Sequence, residues 1–240
     1  RPRVITLLVT AGFLVIAATG LMPILHAALL ADLAAIDLDA LGGRAQRLPV
    51  DGLQALPRAR QRNLVRHALR VCGLSTPTAL QLDRILDEVL PAREDAQPRV
   101  TWPGASVRRY RNGLYLLPEV LPDVPKAAGF ESGRAPLGEG LGVLCLEEGA
   151  GRGLAPALVA AGLRLGFRQG GEEFRPVGQR HTRKLKKLLQ DEGIVPWMRE
   201  HVPLIYSGDE LVAIGDLWIA ADAATSPGVA VRWEDRPALH

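Results

Sequence analysis

The chain has 240 residues, 48% of them apolar and 5% aromatic, which allows one large or two small globular domains. Its net charge of +3 argues for no particular partner by itself; only local clustering of charge does. Cys72 and Cys145 lack companion His or Cys spacing, which excludes a disulfide framework and a zinc site and fits reduced thiols in a cytoplasm.

From Val4 to Ala31 there is no Asp, Glu, Lys or Arg. Behind its Arg-Pro-Arg flank, this apolar leader (residues 1–25) has the length and charge of a transmembrane or signal-anchor segment, although Gly20 and Pro23 interrupt it. Three readings stay open: a helix that packs on a domain outside this sequence, a mistranslated leader, or a membrane anchor. An anchor with this flank would send the basic surfaces described below to the outer side, so a membrane is not expected as a partner. An amphipathic pattern takes over in HAALLADLAAIDLDAL.

Between Arg44 and Arg70 seven arginines face a single acid, Asp51. Arg58, Arg62, Arg66 and Arg70 recur every four residues, which predicts a helix with a stripe of positive charge and with Leu64, Val65, Ala68 and Leu69 on the neighbouring arc. Pro57 suits its first position and Gly73 its end. Thr76-Pro77 is expected to open a second helix that buries Leu80, Leu82, Ile85, Leu86 and Val89. Two helices about a tight turn are also the pattern of a DNA-reading helix-turn-helix, but Asp83, Asp87 and Glu88 on the second helix would repel phosphates. The stripe suits contacts to a phosphate backbone, which carry affinity rather than sequence information. His67 reads as a surface histidine rather than a catalytic one.

A β-meander follows, with strands at Arg99–Trp102, Ala105–Tyr110 and Leu114–Leu117 turned at Pro103-Gly104 and Arg111-Asn112-Gly113. Arg108, Arg109 and Arg111 extend the positive surface. Trp102, Tyr110 and Tyr115 either stack on unpaired bases or, as is commoner in a meander, pack on helices. Prolines and glycines then erase the periodicity, so 119–140 is expected to link a helical domain at 26–118 to an α+β domain at 141–240. In the latter, Leu141–Leu146, Leu163–Arg168, Pro203–Tyr206, Leu211–Ile214, Leu217–Ala220 and Val229–Trp233 read as strands of one mainly antiparallel sheet with two helices against it.

Those helices come from the most basic stretch of the chain. Arg180, Arg183, Lys184, Lys186 and Lys187 fall within eight residues. Read as a helix capped by Thr182, the segment puts Leu185, Leu188 and Leu189 on one side and Arg183, Lys184 and Lys187 on the other. Gly193 suits the left-handed position past its end, and Pro196 the first position of a short helix with Trp197, Arg199 and His201. Asp191 is the one acid expected to face the cluster. Positive charge at the N-terminal end of a helix dipole costs about 0.3–1 kcal/mol per charge, so a polyanion is expected to neutralise it.

No chemistry is legible. Gly42-Gly43 and Gly170-Gly171 lack the Lys-Ser/Thr of a phosphate loop, GAGRG at 149–153 has no strand-to-helix context, and neither a nucleophile with a base nor metal-ligand spacing occurs. Catalytic and metal-ligating residues are therefore not expected in this chain.

RPVG, RKLKKLLQDEGIVPWMRE and PLIYSGDELVAIGDLWI, within a run from about Arg164 to Trp233, resemble the C-terminal domain of the bacterial tRNA(Ile)-lysidine synthetases. PRARQRNLVRHALRVCGLSTPTALQLDRIL and DAQPRVTWPGASVRRYRNGLYLLP are similar to the middle, substrate-binding domain of the same family. The resemblance implies an ATP-dependent C–N ligase that adenylates the wobble cytidine of a minor isoleucine tRNA, after which free lysine displaces AMP to give lysidine. ATP with Mg and L-lysine would be used by an N-terminal catalytic domain with a Ser-Gly-Gly-x-Asp-Ser loop, a motif that this sequence lacks. The chain alone is therefore expected to bind no cofactor and to have no ligase activity. Its implied partners are the minor isoleucine tRNA and that catalytic domain, with a homodimer left open. The residues expected to grip tRNA are Arg175, Arg180, Arg183, Lys184, Lys187 and Arg199 in the C-terminal domain, and Arg58, Arg62, Arg66, Arg70, Arg108 and Arg109 in the middle one. A stand-alone nucleic-acid-binding module and a membrane-anchored protein with a basic surface are the alternatives.

Overall fold

The computed structural model describes residues 26–93, 96–126 and 129–240. The leader at 1–25, with its three readings, lies outside them. The chain divides into two compact units, one ending at Leu121 and the other starting at Pro122.

In the first unit, helix α1 (26–40) is tied to the arginine-rich helix by Asp37, which is 3% exposed and bound by the Arg60 guanidinium. Next come β1 (Arg47–Pro49), α2 (Val50–Ala55), α3 (Arg58–Val71) and α4 (Ala79–Arg84), the last running on into one π turn, Ile85–Val89. Strands β2 (Arg99–Trp102), β3 (Ala105–Tyr110) and β4 (Gly113–Leu117) form the expected meander, and β1 adds a fourth strand in the order β1-β4-β3-β2. Asn112 holds its turn against α2: its Oδ1 accepts from the Asp51 backbone N–H at 3.0 Å and its amide donates to the Asp51 carboxylate at 2.8 Å.

The core lies between this sheet and the helices, where Leu48, Leu53, Leu64, Leu69, Leu82, Ile85 and Leu114 are fully buried, each contributing about 1.5–3 kcal/mol. Helix α4 starts two residues later than the sequence suggests. Thr78 caps it in a reciprocal box with Gln81, which leaves Thr76-Pro77 outside. Leu80, expected inside, is 72% exposed because it sits about 200° round the helix axis from the buried Leu82.

In the second unit the strands are β5 (Arg134–Pro136), β6 (Val143–Gly149), β7 (Gly153–Leu154), β8 (Leu163–Gly166), β9 (Glu173–Phe174), β10 (Arg183–Lys184), β11 (Leu204–Ser207), β12 (Glu210–Ile214), β13 (Trp218–Ile219), β14 (Ala224–Thr225) and β15 (Gly228–Glu234). The helices are α5 (Pro156–Ala160), α6 (Leu185–Glu192) and a 3-10 turn, Pro196–Met198. The α+β class holds, but the single expected sheet is two, ordered β14-β7-β15-β6-β5 and β13-β12-β11-β8, with a β9–β10 ribbon beside them. Strand β5 comes from the stretch read as a linker; at the sheet edge its Pro136 forfeits no interior ladder bond. Between β7 and β15 the backbones nearly touch: a Cβ on Gly153 would lie 2.4 Å from the Val229 carbonyl oxygen. Trp233 closes this core with a 2.6 Å bond from its indole N–H to the Leu141 carbonyl.

Candidate nucleic-acid interface

The cationic cluster of the second unit is not the helix face the sequence suggests. Helix α6 begins at Leu185 with Lys184 as its N-cap, and Thr182 makes no cap. Arg183 and Lys184 belong to β10, paired with Phe174 and Glu173 of β9. The helix keeps its predicted apolar side, since Leu185, Leu188 and Leu189 are buried, and Gly193 takes the left-handed conformation at its end with φ +90°.

Pairing sorts the cluster. Arg183 is bound to Asp191, and Arg175 makes a double contact with Asp222 at 2.6 and 2.7 Å. Arg199 lies just past the 3-10 turn and donates from Nε to the Ile194 carbonyl at 2.9 Å, so it fixes a loop. His201, expected in that short helix, lies beyond it, buried with its ring nitrogens 3.1 Å from the Trp197 oxygen and 2.8 Å from the Pro122 oxygen. Arg180, Lys184, Lys186 and Lys187 are exposed and have no acid in contact among the described residues. Three of these four surround the first turn of α6, where the helix's own N–H groups also favour an anion.

Helix α3 carries the arginine stripe as predicted, but half of it is neutralised. Arg58 reaches Asp83 at 3.2 Å and Asp87 at 2.9 Å, and Arg62 is bound to the same Asp83. Of the acids that argued against phosphate contacts on the second helix, Asp83 and Asp87 are therefore partners of the stripe, and Glu88 is paired with Arg84 at 3.2 Å. Arg66 and Arg70 are the half without an acidic partner among the described residues. His67 lies between them; burial and the adjacent Arg70 charge push its pKa below the ordinary value.

Register creates a third basic feature. Arg47 stands opposite Tyr115, Tyr115 opposite Arg108, and Arg108 opposite Arg99, so one face of the four-stranded sheet carries an Arg-Tyr-Arg-Arg row. Arg47 donates to the Tyr115 hydroxyl at 3.1 Å, and its guanidinium lies 5.7 Å from the ring centroid. Burial, and next to it the Arg99 charge, lowers the Arg108 pKa, as expected where like charges face each other across a ladder. Arg109 falls on the core side and bonds to the Leu90 and Arg111 carbonyls, which takes it out of the row. Of the three aromatics, Trp102 packs in the core with the helices, and its indole donates to the Ser75 carbonyl at 3.1 Å. Tyr110 and Tyr115, each 7% exposed, lie instead on the arginine face, 5.4 Å from the Arg111 guanidinium and 5.7 Å from that of Arg47. Arg47 and Arg99 were absent from the expected set, although period-2 alternation from Arg108 would have reached Arg99.

Among the described residues no helix is long and apolar enough to cross a membrane. Nor is any group of three or more His, Cys, Asp or Glu side chains placed there to hold a metal ion.

Both units of this α+β chain thus carry arginines or lysines with no acid in contact among the described residues. The family model described as "TilS substrate binding domain" matches residues 48–115, and "TilS substrate C-terminal domain" matches 163–233. The chain belongs to the tRNA(Ile)-lysidine synthase family. It is 40% identical over 204 residues to the tRNA(Ile)-lysidine synthase of Alkalilimnicola ehrlichii, covering 84% of this chain and 45% of the relative. With that of Coxiella burnetii it shares 37% identity over 192 residues, covering 79% and 42%. The chain thus spans less than half the length of these relatives. A solved TilS C-terminal domain aligns with 47% of this chain and 94% of its own length, at 18% identity and a TM-score of 0.32.

Proposed function

We propose that this chain is the tRNA-gripping part of a tRNA(Ile)-lysidine synthase, holding its substrate by phosphate contacts while a catalytic domain outside this sequence makes the bond. The observation that carries this reading is the group of exposed cations Lys184, Lys186 and Lys187 around the first turn of α6, with Arg180 shortly before it, none in contact with an acid among the described residues. Arg66, Arg70 and the Arg99–Arg108 pair supply further cations in the first unit. Such contacts position a polyanion without reading its sequence. In the whole enzyme, ATP would activate the wobble cytidine of a minor isoleucine tRNA and lysine would be joined to it; this chain contributes orientation to that reaction and no reacting group.

The test is tRNA binding by the full chain and by a Lys184→Glu/Lys186→Glu/Lys187→Glu variant at physiological salt. Losing three phosphate contacts should weaken binding by about tenfold or more. Unchanged affinity would remove the reading. Equal affinity for duplex DNA and for tRNA would reduce the chain to a general nucleic-acid-binding module.

A further inference from the structure

The second unit contains an open pocket of about 680 Å³, within the ~300–1,000 Å³ range of small-ligand sites, and none of the residues expected to grip tRNA lines it. Its floor is the β8–β11 pair, where Arg164 and Tyr206 stand directly opposite each other. Gly166 makes room for the tyrosine: a Cβ there would come within 3.1 Å of the ring. The Arg164 guanidinium lies over that ring, 4.6 Å from its centroid.

Lys126, Arg168 and Glu172 complete the charged lining. Glu172 is the only acid among the lining residues, and it is already occupied. Its Oε1 accepts from the backbone N–H groups of Gln169 at 2.5 Å and Gly170 at 2.7 Å. Its Oε2 lies 3.6 Å from Arg168 Nε, and both atoms are buried with no hydrogen-bond partner. Burial raises the Glu172 pKa, but the Gly170 and Gln169 N–H groups and Arg168 outweigh it and hold the carboxylate ionised. Burial, with the Glu172 charge beside it, pushes Tyr206 up, so its ring stays a neutral phenol. Three cations against one engaged carboxylate leave the pocket positive, and its flattest surface is a guanidinium backed by an aromatic ring.

A planar π-system bearing a negative charge fits both properties, and in RNA that is a nucleotide whose base is free of a partner. We propose that this pocket takes one unpaired nucleotide of the bound RNA, its base stacked on the Arg164 guanidinium and its phosphate between Lys126 and Arg168. The inference rests on the RNA-binding reading above and adds a site to it: phosphate contacts on α6 would hold the RNA, and this pocket would require an unstacked base.

The test uses the full chain, a single-stranded RNA pentamer, a blunt RNA duplex and AMP, followed by the amide resonances of Gln169 and Gly170. The pentamer is expected to shift both resonances and the duplex to leave them in place. Arg164→Ala should weaken pentamer binding about 5-fold or more, Lys126→Ala should weaken it less, and Tyr206→Phe, which keeps the ring, should bind as the parent does. Reversal of Lys184, Lys186 and Lys187 should leave the pentamer resonance shifts intact. Stationary Gln169 and Gly170 resonances at saturating pentamer, or an Arg164→Ala variant that binds as the parent does, would overturn the proposal, as would AMP binding as tightly as the pentamer. Pentamer binding that survives while the lysine reversal leaves tRNA affinity unchanged would sink the tRNA grip on α6 and keep the pocket.

Discussion

Arg62 is bound to Asp83, so the second arginine of the α3 stripe is anchored to the neighbouring helix instead of standing free. Asp83 holds Arg58 as well, at 3.2 Å. Asp83→Asn should release Arg62, while Arg58 keeps its 2.9 Å contact with Asp87. The expected result is tighter tRNA binding at low salt, at a stability loss below about 1 kcal/mol because the pairs are partly exposed. Fluorescence binding isotherms alongside urea unfolding would measure both; weaker tRNA binding by a folded Asp83→Asn chain would show that the pairs shape the site.

The two halves of the stripe should differ. Arg66→Glu/Arg70→Glu removes cations without acidic partners, whereas Arg58→Glu/Arg62→Glu removes cations already neutralised. The first variant should lose more tRNA affinity at equal salt, and the order would be inverted if the paired arginines swing out on binding.

Salt gives a finer count. Each phosphate neutralised contributes about −0.7 to −0.9 to the slope of log affinity against log salt. Lys184→Ala, Lys186→Ala and Lys187→Ala should each flatten that slope by about this amount, while Arg175→Ala, whose side chain is taken by Asp222, should flatten it less. A titration series from low to physiological salt separates the two behaviours.

His67 supplies a pH signature. Its folded pKa lies below the unfolded one of about 6.5, because burial and then Arg70 disfavour the imidazolium. The unfolded chain therefore takes up the proton first, and the stability contribution of neutral His67 is present above the unfolded pKa and declines as pH falls below it. A phosphate bound at Arg70 would cancel part of that repulsion and raise the pKa, so tRNA affinity should rise as pH falls through this window. The imidazole resonances should show the shift on tRNA addition, and His67→Gln should abolish that part of the pH dependence.

Trp233→Phe keeps the ring volume closest to that of the indole but leaves the Leu141 carbonyl without its donor. A loss of about 1–3 kcal/mol is expected in urea unfolding of the second unit. Gly153→Ala should cost more, because its Cβ meets backbone, which cannot rotate away as a side chain can. A Gly153→Ala chain as stable as the parent would mean that β7 and β15 separate easily.

What was legible in the sequence was local. The meander follows from alternation and two tight turns, and α6 shows its buried face through Leu185, Leu188 and Leu189. What was hidden depends on distant partners. Asp83 lies 25 residues from Arg58, so no helical spacing announces that it neutralises the stripe. Arg183 and Lys184 fit a helix by periodicity, yet the two-residue ribbon with Glu173 and Phe174 claims them for a strand. β1 is three residues long with a proline at its end, too short to alternate, and it is a strand only because β4 pairs with it. The Arg164–Tyr206 stack likewise exists only through the pairing of β8 with β11.

Strand β15 is the middle member of the five-stranded sheet, and every other strand of that sheet precedes it in the chain. During synthesis β6 and β7 therefore wait, edges open, until residue 234 has left the ribosome. A nonsense codon between Leu154 and Gly228 would leave a product with two unzipped edges, prone to aggregation and proteolysis rather than to partial activity.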